Sequence, residues 1–555
     1  MKKTLTTIFL FCLCINAIAQ FFSTETIATP KREVRAVWLT TIGGLDWPRT
    51  YAHTPKTIEK QKRELTDLLD RLQRANFNTV LLQTRIRGTV IYPSQYEPWD
   101  GCTSGKPGTS PGYDPLEYAI SECHKRGMEC HAWVVAVPVG RPNGAGPRNL
   151  KRTNPDLLMK IGDEMFMRPE KKATADYIAK ICKEITRNYD IDGIHLDYIR
   201  YPETMKLSIS RQQARDNISR IVKSVHDAVK SEKPWVKMSC SPIGKRNDLN
   251  RYWSRGWNAE EKGCQDVERW MKEGWMDQIY PMMYFRGDNF FPFAADWKER
   301  SHGKMVSAGL GIYFLSPKEA NWNVEDIQRE MSVCRQMGLG TAMFRNRFLM
   351  DNVKGLYDYT ADAHNLYPAL VPEMTWYKHD VPSSPTSLRI DRQDDATVVS
   401  WTGTQSADVY YNVYASNTSP VDINDARNII AMRISNTSIS LPSTNASTFF
   451  AITAIDRYGK ESKPLESLNH TYDTEGKTAI TMKRNNGESL ELPPLPSTLD
   501  AEYVLFESMA GNVITSKRYA KKINVRDVPE GMYTIKTISP KGVTHKIAWC
   551  LIKRH

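Results

Sequence analysis

The chain has 555 residues, 41% hydrophobic and 25% charged, and its 75 Lys and Arg against 63 Asp and Glu give a net charge of +12. At roughly 150 residues per domain this is too long for one core, and near-average apolar and charged fractions exclude wholesale disorder and a polytopic membrane protein. The basic residues are interleaved with acids, not gathered in a block, so no nucleic-acid partner is expected, whereas long-range attraction to an acidic polymer stays open.

At the N-terminus, Lys2 and Lys3 precede an apolar run over 5–18 and the A-x-A sequence Ala17-Ile18-Ala19. This pattern predicts a signal peptide over residues 1–19, cleaved after Ala19. The run is shorter than the ~20 residues a membrane span needs, and Cys12 and Cys14 lack the small residues that precede a lipidated cysteine. The expected location is therefore periplasmic or secreted, with no stable membrane span. The cysteines from Cys102 to Cys550 are spaced too irregularly for a zinc pattern or a compact disulfide framework. They read as buried small hydrophobes, although export permits some pairing.

Eight strand-like apolar runs follow, over 34–40, 78–84, 128–136, 193–199, 235–241, 278–283, 305–313 and 341–346, separated by stretches of helical periodicity. Leu65, Leu68, Leu69 and Leu72, for example, recur at helical spacing just before the second run. Eight strand–helix units predict a closed (β/α)8 TIM barrel over 28–372. An open doubly wound sheet is the alternative, but no G-x-G-x-x-G or phosphate loop appears.

Prolines 368, 372, 382 and 385 punctuate a linker after the barrel. Beyond it, short alternating strands over 396–401, 409–415, 428–434 and 448–456 predict a β-sandwich over 382–472. Ser384-Pro385-Thr386-Ser387-Leu388, Val399-Ser400-Trp401, Tyr411-Asn412-Val413-Tyr414 and the run from Ile452 to Gly459 resemble a fibronectin type III domain. A last β-rich unit over 476–555 has candidate strands at 503–507, 512–516, 532–538 and 544–551. The fold class is thus α/β, a TIM barrel followed by two small all-β, sandwich-like domains.

Active sites of such barrels lie at the C-terminal ends of the strands, so polar residues late in each strand are the functional candidates. The fourth run reads Asp192-Gly193-Ile194-His195-Leu196-Asp197-Tyr198. Alternation turns Ile194 and Leu196 toward the helices and His195 and Asp197 inward, with Asp197 nearer the mouth. A carboxylate buried there is costly unless it is paired or belongs to a site; Arg200, Arg85, Arg87 and Arg345 are available partners. Asp192 reads as a turn or cap residue. Around the ring follow Thr40, Asp46, Gln83, Arg85, His131, Trp133, Ser239, Ser241, Tyr280, Tyr284, Tyr313 and Arg345. Twelve of the 14 tryptophans precede residue 377, which suits an oligosaccharide cleft as well as a packed core. No metal-ligand cluster and no G-x-S-x-G elbow accompanies these residues, so neither a cofactor or metal nor acyl hydrolysis is expected.

Arg35-Ala36-Val37-Trp38-Leu39-Thr40, Tyr92-Pro93-Ser94, Gly112-Tyr113-Asp114-Pro115-Leu116, His131-Ala132-Trp133 and the fourth-strand segment resemble, in order, the bacterial glycosyl hydrolase-like family 10 proteins. The resemblance implies a TIM-type barrel acting on glycans, and some members cut peptidoglycan strands stripped of their peptides. The fourth strand also resembles two other groups of barrel glycosidases. The α-amylase-like spacing Gly-x-x-x-Asp, matched by Gly193 to Asp197, would make Asp197 the nucleophile. The family 18 chitinase pattern fails, because His195 replaces an Asp and Ile199 stands where the catalytic Glu should be.

Glycoside hydrolysis generally uses two carboxyl groups. Asp197 supplies one, and Glu97, Asp46, Asp266 and Asp288 are candidates for the second, Glu97 first because its loop is rich in Tyr and Trp. His195, Tyr198, Arg200, Gln83, Arg85, Trp133, Tyr284 and Arg345 are the expected substrate-binding residues. A non-catalytic glycan-binding barrel, its β-domains serving attachment, is the competing reading.

Overall fold

The computed structural model describes residues 29–552, apart from 253, 255, 394, 406–407, 445–447, 468–481, 486–488, 493–500, 509–512 and 539–543. The expected signal peptide lies outside the described residues. The chain divides into two compact units, 1–467 and 468–555.

The first unit opens with the eight expected strands: β1 (Arg35–Leu39), β2 (Thr79–Arg85), β3 (Glu129–Val135), β4 (Gly193–Asp197), β5 (Lys237–Cys240), β6 (Gln278–Ile279), β7 (Met305–Leu310) and β8 (Gly340–Met343). Each pairs in parallel with its sequence neighbours, and β8 returns to β1, Arg35 facing Thr341, so the sheet closes. Helices cover it: α1 (Pro55–Arg74), α2 (Pro115–Lys125), α3 (Lys172–Asn188), α4 (Arg211–Glu232), α5 (Val267–Lys272), α6 (Phe291–Glu299) and α7 (Val324–Gln336). Helix α1 shows how sequence dictates such an element. Thr54 caps it with a reciprocal bond to Thr57, Pro55 presets the first turn, and Leu65, Leu69 and Leu72 form one buried face. Burying each leucine stabilises the fold by about 1.5–3 kcal/mol.

A seven-stranded sandwich completes this unit. A three-stranded sheet of β9 (Thr386–Arg392), β10 (Ala396–Thr402) and β13 (Ser438–Pro442) faces a four-stranded sheet of β11 (Tyr410–Ser416), β12 (Ile429–Ile434), β14 (Phe449–Ile455) and β15 (Leu465–Glu466). Trp401, Val413, Phe450 and Ile452 fill the space between them.

The sandwich seals the N-terminal end of the barrel. Arg433, held at a left-handed φ of 52° where the β11–β12 register shifts, reaches the barrel floor. Its Nη1 donates to Glu129 Oε1 (2.7 Å) and its Nη2 to Asp192 Oδ1 (2.6 Å). Lys237 Nζ also donates to Glu129 (2.7 Å), and Asp192 Oδ2 accepts from the Cys130 amide (2.9 Å) and lies 2.7 Å from His124 Nε2. Asp192 is thus an interdomain anchor, not the expected turn or cap residue. Burial opposes ionisation of these acids, but Lys237, His131 and Arg433 hold Glu129 down at about 2, and Arg433 and His124 hold Asp192 well below the usual range. Gly127 admits this docking, because a Cβ there would sit 2.5 Å from the Met432 carbonyl oxygen.

The second unit is all-β: a five-stranded sheet of Met482–Asn485, Thr544–Ile552, Gly531–Ile538, Tyr503–Ser508 and Val513–Arg518, with a separate pair, Ser489–Glu491 and Lys522–Asn524. Val504, Phe506, Ile535 and Ile552 are among its core. No helix among the described residues is long and apolar enough to cross a membrane. The eight described cysteines are buried and unpaired.

Candidate active site

The barrel interior is layered. At the floor, His131 lies 3.0 Å from Glu129, packed so closely on β4 that a Cβ on Gly193 would meet its ring at 2.4 Å. The middle layer is His195. Trp38 Nε1 donates to its Nε2 (3.2 Å), which places the ring proton on Nδ1, 3.0 Å from Ser239 Oγ. Tyr280 packs edge-on against the ring at 5.3 Å. Burial, aided by His131, pushes the imidazole well below its ordinary range and keeps it neutral. His195 is thus fully enclosed, and its expected contact with substrate is corrected to a role in filling and orienting the barrel interior.

Asp197 ends β4 one layer higher. Trp133 Nε1 donates to its Oδ2 (3.0 Å), while Ser241 Oγ (2.8 Å) and the Tyr198 amide (2.7 Å) donate to Oδ1. The holding groups are an indole, a hydroxyl and a backbone amide, none charged. Burial therefore prevails over Arg200 and these donors, and raises the Asp197 carboxyl above its ordinary value. Beside it, Tyr198 adopts a left-handed φ of 50°, and the residue is 41% exposed. Arg200 lies 4.2 Å over that ring and donates to Glu203 Oε1 from Nε (2.9 Å) and Nη2 (2.6 Å). Half-buried Tyr284 stacks on Phe344 at 5.4 Å, and burial together with the Asp197 charge pushes its phenol well up. The structure thus brings Asp197, Trp133, Tyr198, Arg200 and Tyr284 together.

The remaining expected residues do other work. Glu97 is corrected from second catalytic acid to structural partner. Its side chain is 0% exposed, and both oxygens are occupied by Arg85, from Nε (2.8 Å) and Nη2 (2.7 Å), with Tyr177 3.3 Å away. Arg85 is corrected with it. It also donates to the carbonyls of Val135 and Ala136, bracing the end of β3, and is shut away from any substrate. The cause is local: the β2–β3 register shifts between Gln83 and Arg85, so Arg85 pairs with outward Val134 whereas Gln83 pairs with inward Trp133. Gln83 Oε1 accepts from the amides of Thr41 (3.1 Å) and Ile42 (2.8 Å) and orders the β1 loop. Arg345 donates to Asp46 (2.8 Å) and the Leu45 carbonyl (3.0 Å). Asp46 also accepts from the Thr40 and Arg347 amides, so this second candidate acid latches the β1 and β8 loops. Of the others, Asp266 is half-buried at the start of α5, and Asp288 is exposed in the turn after β6. No cluster of three or more metal-ligating side chains occurs among the described residues.

A closed parallel barrel of eight strands with its candidate acid at the end of the fourth has the architecture of the TIM-barrel enzymes, whose sites lie at the strand C-termini. The glycosyl hydrolase-like 10 family matches residues 33–214 and 202–313, just over half of the chain, and the chain belongs to that family. It is 28% identical over 408 residues to glycosyl hydrolase YngK of Bacillus subtilis, covering 67% of this chain and 79% of that protein. It is likewise 28% identical over 371 residues to glycosyl hydrolase DigH of Escherichia coli, covering 58% and 84%. Among solved structures, the PgaB glycoside hydrolase domain from Bordetella bronchiseptica aligns with 61% of this chain and 99% of its own, at 14% identity and a TM-score of 0.42.

Proposed function

We propose that this protein is an exported enzyme that hydrolyses O-glycosidic bonds of a complex glycan, with peptide-free peptidoglycan strands as substrate, and that Asp197 is its reacting carboxylate. The observation that carries this reading is the Asp197 environment: a buried acid at the barrel mouth, gripped by neutral donors on both oxygens, beside the exposed residue Tyr198. A carboxylate so held is fixed in orientation but not neutralised, which suits attack on, or electrostatic support of, an oxocarbenium-like anomeric centre. Trp133 and Ser241 position it. With Glu97 and Asp46 occupied, the second acid is sought at Asp288 and Asp266, the two expected candidates that keep access to solvent. The three- and four-stranded sheets support reading the sandwich as fibronectin type III-like.

The occupied state of two of four expected partner acids favours one rival, a glycan-binding barrel without turnover. Incubating wild type, Asp197→Asn, Asp288→Asn and Asp266→Asn with peptide-free strands and a polysaccharide panel separates the two. The hydrolase reading expects reducing ends from wild type and none from Asp197→Asn. Equal product from both sinks the assignment, and binding without product from wild type supports the rival.

A further inference from the structure

Arg200 has one nitrogen with nothing to do. Its side chain is 8% exposed, so the guanidinium is largely stripped of water. Nε and Nη2 both donate to a single oxygen of Glu203, whose side chain is 40% exposed and screened by solvent. Nη1 is shut off from solvent and has no hydrogen-bond partner. Asp197 does not fill this gap, because its oxygens accept from Trp133, Ser241 and Tyr198 instead. Arg200 follows Asp197 by three residues and stacks on Tyr198, whose amide donates to Asp197, so the free donor sits on the same loop at the end of β4.

Arg85 and Arg345, at the C-terminal ends of β2 and β8, are satisfied differently. Arg85 has a two-point carboxylate and two carbonyls, and Arg345 has a carboxylate and a carbonyl. A desolvated cation with an open N–H edge is costly unless an acceptor arrives, and an anionic planar oxygen answers a guanidinium better than a hydroxyl does. The ring of Tyr198 holds the guanidinium plane at 4.2 Å, so the open edge is fixed in direction. The chain's net charge of +12 further favours an acidic polymer over a neutral one.

We infer that Arg200 is a specificity-determining residue whose Nη1 binds a carboxylate carried by the sugar adjoining the bond held at Asp197. The inference rests on the proposed function for the location of the reacting sugar. Two kinds of glycan carry such a group: peptide-free peptidoglycan, through its lactyl ether, and polyuronates, through C6. In either case a neutral analogue of the same sugar binds poorly, and Arg200 is the reason.

Binding is measured by calorimetry with the full-length Asp197→Asn protein, so that cleavage does not interfere. The ligands are soluble peptide-free strands, the same strands with carboxyls reduced to alcohols, and polyuronate fragments. Carboxyl reduction is expected to weaken strand binding by roughly 10- to 100-fold. Adding Arg200→Gln should weaken the native strands by a similar factor and leave the reduced strands unchanged, while Arg200→Lys recovers part of the loss. If Arg200→Gln does not fold, the native-against-reduced comparison and Arg200→Lys still decide. Preference for polyuronate over the strands names the other source of the carboxylate and keeps the inference. Equal binding of native and reduced forms, binding of no ligand, or an Arg200→Gln loss that is the same on both forms overturns it. Wild-type cleavage of native and reduced strands at equal rates removes the carboxylate role but leaves the hydrolase reading. Carboxylate-dependent binding without any wild-type cleavage does the reverse.

Discussion

The barrel buries acids at both ends, and Asp197 at the mouth is treated in the opposite way to Glu129 and Asp192 at the floor. At the floor, Glu129 and Asp192 are met by Lys237 and by Arg433, a residue that arrives from a different domain, and their carboxyls are driven down. At the mouth, the oxygens of Asp197 are met by an indole, a hydroxyl and an amide, Arg200 acts on it only without a hydrogen bond, and burial drives its carboxyl up. Both are orderly and well hydrogen-bonded, so hydrogen bonding does not distinguish them. The sign of the neighbours does. An ion pair that satisfies charge on both sides ties structure together, whereas an acid surrounded by neutral donors is kept at a cost that stability does not explain and function can.

The contrast is broken most forcefully at Asp197. Asp197→Asn is expected to lower kcat on the glycan that wild type cleaves by at least about 10³-fold. Its melting temperature should stay level or rise, because a desolvated charge is removed. A large loss of stability would show that Asp197 is a floor-type acid placed at the wrong end. Arg433→Met tests the other end. It leaves Glu129 and Asp192 buried without their shared cation, and urea unfolding should show a loss of about 3–5 kcal/mol. Below the transition, the kcat of that variant should remain within about twofold of wild type. A kcat loss as deep as that of Asp197→Asn would mean that the two ends are not separable.

A smaller effect tests whether the donors at the mouth position the acid. Ser241→Ala removes one of two donors to Oδ1 and should cost about 1–2 kcal/mol in the reaction barrier, roughly tenfold in kcat, with KM nearly unchanged. A change confined to KM would place Ser241 against substrate instead.

Where the sequence was readable and where it was not follows the same division between local and distant causes. All eight barrel strands could be located, because each is covered on both faces and reads as an apolar run between helical periods. Asp197 could be found by alternation alone. Glu97 could not be judged, since its fate depends on the register shift that turns Arg85 outward, and no spacing signals a bulge without its partner strand. The anchoring role of Asp192 is hidden for a related reason: its partner Arg433 is 241 residues away, and a lone arginine in a β-strand carries no sign of which acid it will meet. The sandwich strands β9 and β13 leave little signal in the sequence because they are largely solvent-facing and carry mostly polar or short side chains. Glu203 and the open edge of Arg200 depend on loop geometry after β4, which periodicity does not describe.

The smallest effect is also the one in which the two ends must differ in sign. Glu129 titrates lower in the folded chain, at about 2, than its ordinary value of about 4.5. Its contribution to stability is therefore present above about 4.5 and lost as pH falls toward 2. Asp197 titrates higher when folded. The folded state then holds its proton more tightly, so stability from this group is greatest at low pH and falls as pH rises above the ordinary Asp value of about 3.9. Subtracting the wild-type melting curve from those of Glu129→Gln and Asp197→Asn at each pH isolates the two terms. The Glu129→Gln deficit should shrink on acidification from pH 5 to pH 2.5, and the Asp197→Asn difference should move in favour of the variant as pH rises from about 4. Parallel slopes would mean that Asp197 is held as an ordinary ion pair, and the distinction between the ends would then lie in position alone.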